Sequence, residues 1–265
     1  MNFIIKHILI IVICLSYSIK VEAQDSGFPT KVDYFELDVI GNLYFVNSTE
    51  VSKFNSSAIE LNTYSNLMFG DIEYIDVRDA MNILIYYQNS NKILMLDNTL
   101  SIKNSPIDLS DLGYSETTVA CLSYNNAFWI YDAIGHELLR FNLLLENTDR
   151  SGDLKSITGY NLHPVQITER DNLLILRDEL NGIFVFDRYG GYLRRMPFYN
   201  LDDFYIRSNT WQMLKNDTNY SFNPTTLFTD TVLTPLKNID EMRVNNKTAY
   251  FKLKDKTFVY KSLLK

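Results

Sequence analysis

Few side chains in this sequence stand where their types and spacing could do chemistry. Downstream of residue 23 there are two histidines, His136 and His163, and one cysteine, Cys121. His136 falls in the turn Ile134 to Glu137 and His163 directly precedes Pro164, so each reads as a structural residue. Two isolated histidines do not assemble a zinc site, which takes three or four ligands. Cys121 sits in the apolar run Val119 to Leu122, where a buried, inert thiol is expected. A nucleophile would need a histidine partner that the neighbouring sequence does not offer. Asn147, Asp149, Ser151, Gly152 and Asp153 imitate the first half of a calcium loop, with oxygen ligands at alternate positions and a glycine at the bend. The bidentate acid required twelfth in such a loop is missing, because Thr158 stands there, so a solvated turn is expected.

Three pairs of neighbouring acids, Asp178-Glu179, Asp202-Asp203 and Asp240-Glu241, could serve a glycosidase only if two acids faced one cleft at a defined separation. Neighbours in a strand point to opposite faces, so these pairs are expected at the solvated surface. The aromatic group Phe198, Tyr199, Phe204, Tyr205 and Trp211 could stack on a sugar or a partner protein, but core packing is expected of it. Asn-x-Ser/Thr sequons at Asn47, Asn55, Asn216, Asn219 and Asn246 are read as chance matches in an Asn-rich chain. There is no G-x-S-x-G, H-E-x-x-H, C-x-x-C, Walker or G-x-G-x-x-G motif. The sequence therefore assigns no catalytic, metal-binding or other binding residue, and no cofactor is expected.

These residues are carried by a repeating scaffold. The stretch Asn172 to Pro197 holds an apolar strand (Leu173 to Leu176), a polar turn, a second strand (Ile183 to Phe186), a reversal at Asp187 to Gly191 and a third strand (Tyr192 to Met196). That is the outer part of an antiparallel sheet. Gly41 to Asn55, Asn82 to Asp97 and Asn126 to Asn142 repeat the pattern. Each unit closes on Asn or Asp, at positions 55, 97, 142 and 187, giving intervals of 42, 45 and 45 residues. A period of 40–45 residues with several strands inside it is the signature of a β-propeller. The closing Asn or Asp is expected to cap the tight turn into the outermost strand.

Apolar stretches upstream of each unit, Ile72 to Val77, Thr118 to Leu122 and Val165 to Thr168, are expected as the innermost strands around a central channel. Leu201 to Ile206 and Trp211 to Leu214 begin a fifth repeat, whose continuation at Asn216 to Pro224 is polar and irregular. Ile239 to Val244, Ala249 to Leu253 and Thr257 to Tyr260 form a sixth. The fold class read from these units is all-β, a single propeller of six blades with four antiparallel strands each.

Composition fits this reading. The chain has 265 residues, 46% of them hydrophobic, with a formal net charge of −7. An acidic chain whose longest basic run is Arg194-Arg195 does not bind a nucleic-acid backbone, which needs clustered Lys and Arg. At the N-terminus, Lys6 and His7 precede the apolar run Ile8 to Leu15, and Val21-Glu22-Ala23 fits small-x-small cleavage before Gln24. Residues 1–23 are thus expected to be a signal peptide and 24–265 a β-propeller domain. The apolar run is too short to span a bilayer, and Cys14 lacks the small residues that precede a lipidated cysteine. Cleavage leaves Cys121 as a lone thiol, so no internal disulfide is possible and packing must supply the stability.

At Phe184 to Pro197 (FVFDRYGGYLRRMP) and Ile130 to Asn142 (IYDAIGHELLRFN) the chain resembles six-bladed propellers of the NHL and YncE-like type. With its Asn-Leu-Tyr-Phe-Val and Asn-Ala-Phe-Trp-Ile-Tyr openings it looks closer still to exported propellers of Bacteroidota. The resemblance covers most of residues 33–261 and departs from the pattern at Asn216 to Pro224. It implies the fold and a location in the cell envelope, and it carries over no catalytic residue.

The expected function is a non-catalytic periplasmic propeller that binds another envelope protein, with no nucleic-acid partner and no membrane span after cleavage. By the resemblance, an accessory of outer-membrane assembly or of the type IX secretion translocon is its specific form. The rival is a sugar-binding or hydrolytic propeller using its central channel or one face. Finally, the last repeat supplies only three strands. The extended segment Phe28 to Val32 is expected to close the ring by pairing with Thr257 to Tyr260, since an unpaired edge invites aggregation.

Overall fold

The computed structural model describes residues 28–245 and 248–262. The expected signal peptide and the sequon at Asn246 lie outside them. Within each sheet the strands follow one another in sequence and each pairs antiparallel with the next, so every sheet is a meander. The first blade comprises β1 (Tyr34–Leu37), β2 (Leu43–Asn47), β3 (Glu50–Phe54) and β4 (Glu60–Ser65). The second comprises β5 (Tyr74–Asp79), β6 (Asn82–Tyr87), β7 (Lys92–Leu96) and the short β8 (Ile107–Asp108). β9 (Thr117–Leu122), β10 (Phe128–Asp132), β11 (Glu137–Phe141) and β12 (Asn147–Arg150) make the third. A single helical turn, α1 (Leu154–Thr158), leads to the fourth: β13 (Pro164–Arg170), β14 (Leu173–Asp178), β15 (Gly182–Asp187) and β16 (Tyr192–Met196). The fifth holds β17 (Asp203–Arg207), β18 (Thr210–Lys215), β19 (Thr218–Phe222) and β20 (Thr229–Leu233), and the sixth β21 (Ile239–Val244), β22 (Thr248–Leu253) and β23 (Phe258–Ser262).

The apolar runs of the sequence have a simple cause. A blade's two middle strands are covered on both faces, so alternate residues enter opposite seams rather than one core and one solvent face. In β6, Ile83, Ile85 and Tyr87 pack into the seam between blades one and two, while Leu84 and Tyr86 pack between two and three. In β10, Phe128 and Ile130 take one side, Trp129 and Tyr131 the other. Six separate apolar clusters result, one in each seam of the ring. The all-β, six-bladed propeller read from the sequence is therefore the fold.

The recurring Asn or Asp works as expected. In Asn55, Asp97, Asn142 and Asp187 one side-chain oxygen accepts the N–H groups two and four residues on, at 2.8 to 3.0 Å. The residue three on (Ala58, Leu100, Leu145 and Gly190) has φ near +60° to +90° in every case. This is a type I turn followed by a left-handed residue and a bulge, which steers the chain into the outermost strand.

Two details differ from the sequence reading. The polar stretch after Asn216 is not irregular: β19 and β20 pair along their full length. Asn216 and Asp217, at φ +50° and +58°, supply the tight hairpin turn that joins β18 to β19. Outer strands of a blade face water on one side, so they need no apolar run. Ring closure is made with fewer backbone bonds than a full strand. Lys31 bridges Thr257, with Val32 N–H donating to the Lys256 carbonyl and Phe258 N–H to the Thr30 carbonyl, each at 3.0 Å. Upstream, Pro29 has no N–H to continue the ladder, and Phe28 turns inward instead. Its ring lies among Phe45 and Phe54 of the first blade and Tyr250, Phe258 and Tyr260 of the last.

Candidate functional site

The innermost strands β1, β5, β9, β13, β17 and β21 stand side by side around the central channel. Each has one edge that is hydrogen-bonded to no other strand, so its N–H and C=O groups need other partners. Carboxylates from adjoining blades meet part of that need. Asp76 accepts the Leu122 N–H across the seam at 2.9 Å, Asp203 accepts the Met242 N–H at 2.8 Å and Glu241 accepts the Phe35 N–H at 3.2 Å. Each carboxylate also holds a cation. Arg78 grips Asp76 in a fork at 2.6 to 3.0 Å and donates to the Leu122 carbonyl at 2.6 Å. Arg243 spans Asp203 at 2.6 Å and Glu36 at 2.7 and 3.0 Å. Lys252 meets Glu241 at 2.7 Å and Asp240 at 2.8 Å. Burial opposes ionisation of Asp76, yet Arg78 and the N–H donors hold its carboxyl below the usual range. At Glu241 burial prevails over Lys252 and Arg243 and pushes the carboxyl up to about 7.

The channel widens toward the C-terminal ends of the innermost strands into a cavity of about 730 Å3. Four arginines line it, Arg78, Arg170, Arg207 and Arg243, against three acids, Glu36, Asp38 and Asp76. Glu36 and Asp76 are engaged in the pairs just described. Asp38 is buried and spent on its own turn, accepting the N–H groups of Ile40 and Asn42 at 2.9 and 2.8 Å. Arg170 and Arg207 form no ion pair with any described residue; Arg207 reaches the Asn245 carbonyl at 3.4 Å. Tyr205 is on the same lining through other atoms, while its hydroxyl is buried away from water and has no hydrogen-bond partner among the described residues. A smaller cavity of about 290 Å3 at the opposite end is lined by Glu73, Tyr86, Tyr131 and His163.

The candidates from the sequence disperse over this frame. His136 sits in the β10–β11 turn at φ +52°, and His163 is exposed at the small cavity, its imidazole meeting Asn161 at 3.1 Å. Cys121 is fully buried in the seam between blades three and four, where burial pushes its thiol up, as expected of an inert residue. Asp149 pairs with Arg140 at 3.1 Å and Asp153 caps α1, so the calcium-like spacing does not converge. Among the described residues no cluster of three His, Cys, Asp or Glu could hold a metal. Phe204 and Trp211 are core residues, while Tyr205 lines the large cavity. Asn55 holds its turn through Oδ1.

The acid pairs depart from expectation. Glu179 is exposed, but Asp178, Asp203 and most of Glu241 are withdrawn from water. Opposite faces of an innermost strand both meet neighbouring blades, so alternation does not put Asp203 or Glu241 in solvent; Asp178, at the end of β14, is withdrawn because it accepts the N–H groups of His163, Leu180 and Asn181. The arginines at the mouth were missed entirely. Their signal was present as an arginine at or next to the end of the innermost strand in four repeats: YIDVRD, QITER, FYIR and EMRV.

No protein-family model matches the sequence, and no curated protein matches it. Solved structures share the fold. Virginiamycin B lyase from Staphylococcus aureus superposes with a TM-score of 0.58 at 15% identity, over 87% of this chain and 80% of that one. A chain of a mitotic checkpoint complex gives 0.59 at 9% identity, over 89% and 76%. A protein of unknown function from Bacteroides caccae gives 0.54 at 12%, over 80% and 82%. At these identities the likeness is one of fold. Among the described residues no helix is long and apolar enough to cross a membrane.

Proposed function

We propose that this protein is a non-catalytic scaffold of the periplasm that binds another envelope protein through the face on which the large cavity opens. An accessory role in outer-membrane assembly or a secretion translocon is the specific form of this reading. The observation that carries it is a recurrence. The turns that join the third strand to the outermost one all lie at the end of the ring where the cavity opens. In five blades such a turn exposes a large apolar side chain: Ile59, Ile102, Leu144, Tyr189 and Phe228. Ile40 and Met81 add to this set nearer the mouth. The opposite end also exposes Leu67, Met68, Ile134 and Leu180, but among the described residues the repetition at one turn in five blades is found on this face, and such a ring suits pairing with another protein.

Hydrolysis in the channel is disfavoured by the same geometry. It would require two free carboxylates facing a substrate, and Glu36, Asp38 and Asp76 are each committed to an arginine or a turn.

Affinity purification from cell envelopes with wild-type protein and the Ile40→Ser, Leu144→Ser and Phe228→Ser variants tests the reading. These exposed positions should leave folding unchanged, and each variant should lose a protein that the wild type enriches. Leu180→Ser, on the opposite face, should retain it. No reproducible partner, or equal capture by all variants, overturns the proposal.

A further inference from the structure

We propose that the large cavity is a receptor for a carboxylate, supplied by an acidic peptide segment of the docked protein and gripped by Arg170 and Arg207. This deepens the docking reading above and rests on it. Three observations converge. First, the lining is cationic in a chain whose net charge is −7. Two of its four guanidinium groups have a carboxylate partner, and Arg170 and Arg207 have none among the described residues. Half-buried guanidinium groups facing a cavity are completed by a planar anion, which they meet with paired N–H donors.

Second, the cations without a carboxylate partner are grouped in one sector of the mouth, where Tyr205 also contributes to the lining. Tyr205 and Arg207 are two apart in β17 and share a face of it, as do Gln166, Thr168 and Arg170 in β13. Gln166 ties the two strands by donating to the Phe204 carbonyl at 3.0 Å. Behind this sector Arg177 donates to Gln166 at 3.2 Å and to the Leu201 carbonyl at 3.2 Å, again with no carboxylate partner among the described residues. Three of the four arginines, Arg170, Arg207 and Arg243, thus lie on one side of the mouth, at blades four to six.

Third, a volume of about 730 Å3 exceeds what one small ion fills and lies within the range of a multi-residue ligand. Its rim passes directly into the exposed Val39 and Ile40, part of the apolar face. A peptide whose acidic side chain enters the mouth while flanking apolar residues lie on the rim fits both features; a free anion uses only the first.

Fluorescein-labelled hexaglutamate, with hexalysine as control, followed by fluorescence anisotropy at low and physiological salt, provides the test. Wild type should bind hexaglutamate and not hexalysine. The Arg170→Gln/Arg207→Gln double variant should bind about tenfold more weakly or worse, with a melting temperature close to wild type because neither side chain holds an ion pair. Equal binding by the double variant, or no binding of hexaglutamate by wild type, overturns the inference. Displacement of hexaglutamate by an equal concentration of glutarate or inorganic phosphate also overturns it, as that marks a small-anion site. In envelope captures the two readings separate. If the double variant keeps the partner that Leu144→Ser loses, docking stands and the carboxylate receptor falls.

Discussion

Replacing Phe28 by alanine isolates the aromatic half of the ring closure from its backbone half. The Phe28 ring is 9% exposed and lies 5.6 to 6.5 Å from five other aromatic rings, two in the first blade and three in the last. Truncation of a buried phenylalanine costs about 3–5 kcal/mol. The lower end applies here, because the segment lies near a terminus and can relax into the space left. The backbone bonds at Lys31, Val32 and Phe258 survive the change. For a domain of this size each kcal/mol shifts the melting temperature by about 2–4 °C, so a fall of roughly 6–12 °C is expected. Differential scanning calorimetry measures it, with Pro29→Ala as a control expected to move the midpoint by about 1 °C or less. A Phe28→Ala midpoint within about 2 °C of wild type would show that the Phe28 ring does not hold the last blade to the first.

Three other perturbations probe the channel and the turns. Asp203→Ala removes the acceptor for Met242 N–H, Phe204 N–H and Arg243 at once; leaving a buried guanidinium short of a partner costs about 3–5 kcal/mol, read as a lower urea midpoint at constant m-value. Glu241, whose carboxyl rises to about 7 on burial, binds its proton more tightly folded than unfolded, so its contribution is full below about pH 4.5 and is lost as pH rises to 7. Glu241→Gln should therefore flatten the wild-type decline in stability between pH 5 and 7.5, leaving the variant relatively more stable above pH 7; parallel pH profiles refute it. Leu145→Gly relieves a left-handed leucine at φ +61° on an exposed turn. That conformation costs about 1–2 kcal/mol against about 0.5–1 for the added freedom of glycine when unfolded, so the melting temperature should rise by roughly 1–4 °C.

What could be read from sequence tracks how local the governing physics is. The middle strands of each blade declare themselves because both faces are buried. Ile83 to Tyr87 and Ile183 to Phe186 are apolar at every position, and in the first four blades the turn that follows the third strand is fixed by one side chain bonding within four residues. The fifth blade's outer strands escaped notice because Thr218 to Phe222 is only half-covered, and polar β-branched residues serve such an edge as well as apolar ones. The channel was hidden for a different reason. Whether Asp203 or Glu241 meets water depends on which blade stands beside its strand, and that neighbour lies some 40 or 200 residues away in the chain: Met242 for one, Phe35 for the other. Alternation along a strand says that two acids face apart; it does not say that both directions lead into protein. In a ring of sheets they do, and the free edge of the innermost strand makes carboxylates useful there as acceptors. The arginines follow from the acids, since a carboxylate drawn into a seam requires a cation beside it. Arg78 and Arg243 meet that requirement, and Arg170 and Arg207 exceed it, which is why the surplus points to a ligand rather than to the fold.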